Sequence, residues 1–226
     1  MLVTNDAELR RIAWKVFRGW MVESFPGGAL EQFKREIAEV KDQYKGVAIE
    51  DAQQCSMPVF RQSIPFALFI SEFAVTRRIA SQSGIAISDI YELCLASVAD
   101  FMLEHIYGES KKFEYEGYTD KKLRELAFSF TMGIVDSSLQ PNFRESMRRK
   151  ESRAIQLARG RGIGRDGILE LILRSNHNAM NFGDFRRHMT AIIRVFKLGG
   201  VNDEQQIYEY FKVFLAHKFY QLGTSS

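Results

Sequence analysis

Apolar residues recur at spacings of three and four along nearly the whole chain, which is the period of a helix with one buried face. From Asp6 to about Ser24 the set is Leu9, Ile12, Ala13, Val16, Phe17, Trp20 and Met21. Asn5 stands where an N-cap belongs, with Glu8 three residues on, and Phe25-Pro26-Gly27-Gly28 supplies the stop. A second helix is predicted from Ala29 to Tyr44 on Leu30, Phe33, Ile37, Val40 and Tyr44. The polar stretch after it reads as a loop, and Pro65 sits in the predicted first turn of an apolar helix reaching about Ala80.

From Ser88 to Tyr107 the same rhythm runs through Ile90, Cys94, Leu95, Val98, Phe101 and Met102. Thr119 is placed to cap a helix carrying Leu123, Leu126, Phe130 and Ile134. Three more are predicted after Pro141: about Asn142–Arg159, Ile168–Arg174 and Asp184–Lys197. Ser175-Asn176-His177-Asn178 opens the link between the last two, and Asn202 with Gln205 resembles a capping box for a helix to about Leu222. No alternation of apolar and polar residues is long enough for a strand. The pattern predicts an all-α, multi-helix bundle of about eight or nine helices with no significant sheet.

Charge adds an asymmetry that the net value of +3 conceals. Residues 1–118 hold 13 Lys and Arg against 17 Asp and Glu, whereas residues 119–226 hold 18 against 11. The chain is read as one domain over 1–226, with a subdomain boundary expected near 108–118 between an acidic half (1–107) and a basic half (119–226). Neither the opening Met1-Leu2-Val3-Thr4-Asn5-Asp6 nor the apolar Ile64–Val75 stretch, broken by Glu72, suits a secretory leader or a span of ~20 apolar residues. With only Cys55 and Cys94, a disulfide framework is not expected, so a cytoplasmic location is.

The basic surplus concentrates in one segment. Between residues 144 and 165 lie Arg144, Arg148, Arg149, Lys150, Arg153, Arg159, Arg161 and Arg165, against Glu145 and Glu151. Phe143, Met147, Ala154 and Ala158 form the inward stripe, so most of the cations are expected to point outward. Seven of these eight are Arg, whose forked donors suit phosphate better than a hydrated ammonium does. The competing account is a solvated helix face whose arginines pair with the acidic half.

Catalytic motifs are not found. Gly162-Ile163-Gly164-Arg165-Asp166-Gly167 matches the glycine spacing of a dinucleotide loop, but an Arg-rich helix precedes it where that fold needs a strand. The glycines read as a helix–helix connector. The helices after it are too widely linked for a helix-turn-helix, whose turn takes about 3–4 residues. Asp184 and His188 are a single pair, short of a metal site, and His105 reads as a packed core residue. Cys94 and His105 lie ~16 Å apart along one helix, too far to act together. Neither catalytic residues nor a cofactor or metal are assigned.

Three functions follow as expectations. The first is a non-enzymatic binding or regulatory protein whose Arg-rich helix contacts an anionic partner, DNA or RNA above others. The second is an adaptor acting through protein contacts or self-association, for which the aromatic last helix (Phe214, Phe219, Tyr220) and an off-stripe Trp14 are the motive. The third is attachment to an anionic membrane surface through the same arginines.

Overall fold

A computed structural model describes residues 5–25, 27–108 and 113–224. Among them are twelve α-helices and no strand, the nearest approach to a sheet being an isolated bridge between Tyr115 and Tyr118. The helices are α1 (Asp6–Ser24), α2 (Gly27–Gln43), α3 (Ile49–Ser63), α4 (Phe66–Glu72), α5 (Ala74–Gln82) and α6 (Ile87–Tyr107), followed by α7 (Asp120–Ser138), α8 (Pro141–Gly160), α9 (Arg165–Ala179), α10 (Phe182–His188), α11 (Thr190–Leu198) and α12 (Glu204–Thr224).

Twelve helices exceed the expected eight or nine for three local reasons. The stretch read as a polar loop is α3, whose Ile49, Ala52, Met57 and Phe60 are buried at helical spacing although Pro58 interrupts its hydrogen-bond ladder. The helix expected from Pro65 to Ala80 is divided at Phe73, and Pro65 caps its first part from outside. Phe73 is pulled inward to stack on Phe69 at 5.4 Å and meet Phe25 edge-on at 5.3 Å. The helix expected over 184–197 divides in the same way at the buried Met189. In both places the apolar period runs on through the bend, so tertiary packing and not local propensity sets the break.

Two of the three expected caps are in place. Asn5 accepts from the Glu8 amide at 2.8 Å and Thr119 from the Lys122 amide at 3.3 Å. The third shifts by one residue, because Asp203 rather than Asn202 accepts from the Gln205 amide at 2.9 Å. Ser175-Asn176-His177-Asn178, expected in a link, belongs to α9; Asn176 is buried there, and only Met180 and Asn181 separate α9 from α10.

Two helices organise the packing. α1 lies against α6, α7 and α11, and α12 lies among α7, α8, α9, α10 and α11. The α1 contact with α11 is backbone to backbone. A Cβ on Gly19 would stand 2.1 Å from the Val195 carbonyl oxygen, and one on Gly199 would stand 2.3 Å from that of Lys15. α12 is apolar on nearly every side, as a helix enclosed by others must be. One buried apolar cluster takes in residues from Leu9 to Phe219, and the Thr131 hydroxyl of α7 donates to the Ala13 carbonyl of α1. The change of charge near 108–118 therefore coincides with no gap between α1 and the helices that follow; residues 109–112 of that stretch lie outside the described residues, as do residues 1–4 and Pro26.

Candidate functional site

α8 begins with Pro141 in its first turn, where a missing N–H is no loss. Its inward row is Met147, Glu151, Ile155 and Ala158, so the apolar stripe expected on Phe143, Met147, Ala154 and Ala158 is rotated slightly and includes a carboxylate. The opposite row, at spacings of four, is Arg149, Arg153, Leu157 and Arg161, spanning roughly 18 Å of helix axis.

The eight cations divide into three groups. Arg144 and Arg148 turn toward the buried Asp136 of α7, with Arg148 donating to it at 3.1 Å and Arg144 in an ion pair with it at 3.9 Å. Lys218 of α12 faces the same group; burial lowers its pKa, partly offset by Asp136. These two arginines are thereby matched to a buried carboxylate, although Arg148 keeps 37% of its side chain exposed. Arg149 is matched to Glu145 on its own helix at 2.9 Å, but the pair is exposed and worth little. Lys150, Arg153, Arg159, Arg161 and Arg165 are exposed and form no ion pair among the described residues. No carboxylate of residues 1–118 clasps any member of the segment among the described residues.

Elsewhere in the basic half most arginines are matched. Arg174 meets Glu170 at 2.7 Å, Arg186 and Lys197 share Glu204 at 2.8 and 2.7 Å, and Arg194 pairs with Glu23 of α1. The glycine cluster acts as a connector. Gly162 takes φ 72°, a left-handed turn that favours glycine, and Gly164 caps α9 with no side-chain bond. Leu157 is 60% exposed in the midst of the cations, the most exposed large apolar side chain described.

The seam under the basic row is imperfectly satisfied. Glu151 is 2% exposed and lies beside the Ser175 hydroxyl, while both amide atoms of the buried Asn176 lack a hydrogen-bond partner among the described residues. Burial raises the Glu151 pKa, opposed by the neighbouring Ser175 and Lys150. Its spacing four residues from both Met147 and Ile155 is the signal that places it inward, and charge counting alone passes over it.

A raised carboxyl pKa means that the fold prefers the protonated acid, so its destabilising effect is absent below the unfolded value and grows as pH rises through the folded one. Glu151→Gln is accordingly expected to raise the melting temperature at pH 7–8 and to leave it unchanged near pH 4. A scan of melting temperature against pH checks this, and a gain that is equal at both ends would contradict it.

Several expectations about other side chains are corrected. Trp14 is buried and donates to Asp100 at 2.6 Å, so its position off the main stripe serves the core. Phe214 and Phe219 are likewise enclosed, at 0% and 2% exposure, and only Tyr220 of that trio is partly open. His105 is exposed, its ring 4.6 Å from Phe101, and not a core residue. Cys94 is buried with its thiol pKa pushed well up by desolvation. Among the described residues no helix is long and apolar enough to cross a membrane, and no group of three or more His, Cys, Asp or Glu is placed to hold a metal. No family model, curated protein or solved structure matches the chain.

Proposed function

We propose that the protein binds a polyanion, a nucleic-acid backbone before others, through the outward side of α8 and the start of α9. One observation carries the reading: Lys150, Arg153, Arg159, Arg161 and Arg165 stay exposed without ion pairs among the described residues, while neighbouring arginines on α8 are neutralised. Four of the five are Arg, able to fork onto phosphate oxygens, and they are offered from the outer side of a helix and its following turn. With Arg144 and Arg148 held by Asp136, this set is smaller than charge counting suggests.

The test is the salt dependence of DNA binding. If all five cations meet phosphates, log K against log salt falls with a slope of about −4.5, at ~0.9 per contact. Replacing Arg153, Arg159 and Arg161 together by Gln should remove about 2.7 of that slope and most retention at physiological salt. A slope that the triple variant leaves unchanged rejects the reading.

A second reading, attachment to an acidic lipid surface, is favoured by Leu157 alone, since an apolar side chain among cations suits the headgroup boundary. Vesicles with and without phosphatidylserine separate the two. Leu157→Ser should weaken vesicle pelleting and spare DNA binding if lipid is the partner. The adaptor reading keeps little support, because Trp14, Phe214 and Phe219 are occupied within the fold.

A further inference from the structure

In the acidic half, the end of α1, one side of α2 and the turn from α3 into α4 enclose a groove of about 210 Å3. Small-molecule pockets run from roughly 300 to 1,000 Å3, so this one suits an inserted side chain better than a free ligand. We propose that it docks α8 of a second copy of this chain, with Leu157 in the groove and Arg153 and Arg161 against Glu36 and Glu72. The docking uses the basic row but does not depend on the polyanion reading, and none of Trp14, Phe214 and Phe219 takes part.

The groove is apolar within and acidic in charge. Phe25, Phe33, Ile64 and Phe73 line it, and Leu68 stands exposed at its side. The three rings are spent on one another, since Phe25 stacks on Phe33 at 5.2 Å and meets Phe73 edge-on at 5.3 Å. They offer carbon surface and ring edges, which an aliphatic side chain fills without needing an open ring face. Glu36 accepts from Gln32 at 3.0 Å and Glu72 from the Ser71 hydroxyl at 3.5 Å, but neither forms an ion pair among the described residues. The described wall holds these two carboxylates and neither Lys nor Arg. Such a groove selects a partner that carries cations on either side of an apolar group.

This chain carries that order itself. Arg153, Leu157 and Arg161 follow at spacings of four on the outer side of α8, the two arginines about 12 Å apart along its axis. Leu157 is the most exposed large apolar side chain described, and both arginines are exposed without an ion pair among the described residues. Row and groove rest on different neighbours: α8 packs on α9 and α12, α2 on α6, and α4 on α5. A second molecule is what brings them together. Burial of Leu157 against the groove wall supplies attraction, and the flanking charges fix the register. Each copy offers one row and one groove, which are unlike patches, so the contact is heterologous. It closes into a ring or runs on according to the rotation between copies.

Sedimentation equilibrium of the full chain is the test. At low salt its weight-average mass should rise with concentration through the submillimolar range, and fall back as salt screens the charges. Glu36→Lys with Glu72→Lys, and separately Arg153→Glu with Arg161→Glu, should each weaken association roughly tenfold or more. Three of these positions are exposed and Glu36 is half-buried, so the reversals burden the fold little, and circular dichroism melts check it. Mixed in equal amounts, the two charge-reversed proteins should associate again, because each then meets the opposite sign. Leu157→Ser should weaken association with every charge in place. The groove variant keeps α8 whole, so its DNA retention should match that of the unaltered chain, and the two readings fail separately. An unaltered chain that stays monomeric, a mixture that associates no better than its components, or association indifferent to Glu36 and Glu72 would each overturn the docking.

Discussion

Replacing Asp100 by alanine is expected to destabilise the protein by about 3–5 kcal/mol, the range for a buried ion pair that loses one partner. The carboxylate is 3% exposed and accepts from two donors on α1, the Trp14 indole at 2.6 Å and Arg18 at 3.1 Å. Without it the indole N–H is orphaned inside the core, which alone costs about 1–3 kcal/mol. Arg18 would keep only Glu104, whose side chain is 37% exposed and so a weaker, more screened partner. Urea unfolding measures the loss. Glu104→Gln should lose far less, because solvent already shares in that interaction. A loss of under ~1 kcal/mol for Asp100→Ala would mean that the two donors find other acceptors.

Gly19→Ala is the second large effect, expected to remove about 3 kcal/mol or more, at or beyond the upper end for overpacking. The new methyl would stand 2.1 Å from the Val195 oxygen and 2.7 Å from the Gly199 nitrogen. Both are backbone atoms, one in α11 and one at its C-cap, so no side chain can swing away and α1 must part from α11. For a chain of this length the melting temperature should fall by roughly 6–12 °C. Gly28→Ala is the matched control. A Cβ there meets nothing within 4 Å, and its melting temperature should hold or rise slightly. Equal melting temperatures for the two variants would show that α1 and α11 can part at little cost.

How much of this was readable from residue order differs by element. The helical class was plain, because the three-and-four spacing of Leu9 to Met21 and of Leu123 to Ile134 leaves no other period. The breaks at Phe73 and Met189 were not, since each is a buried apolar residue drawn inward by partners far along the chain, and the local pattern is the same on both sides. α3 was hidden by Pro58 and by a run of Gln and Ser that looks like a loop. The basic row was found by counting charge, and counting could not separate Arg148 from Arg153. The difference between them is Asp136, which lies close in sequence but whose inward direction depends on α7 packing against α1 and α12. The meeting of Trp14 and Arg18 with Asp100 was beyond reach for the same reason: α1 and α6 lie some 80 residues apart, and spacing within one helix carries no word of the other.

The enclosure of α12 bears on how the chain reaches its native state. Synthesis runs from the amino end, so α7, α8 and α9 exist before the helix that covers their apolar sides, and α1 waits through nine helices for α11. Contacts that span so much chain are slow to form, and until they do the nascent protein presents sticky faces to its surroundings. The apolar faces of α7, α8 and α9 therefore stay uncovered until residues 204–224 can pack among them.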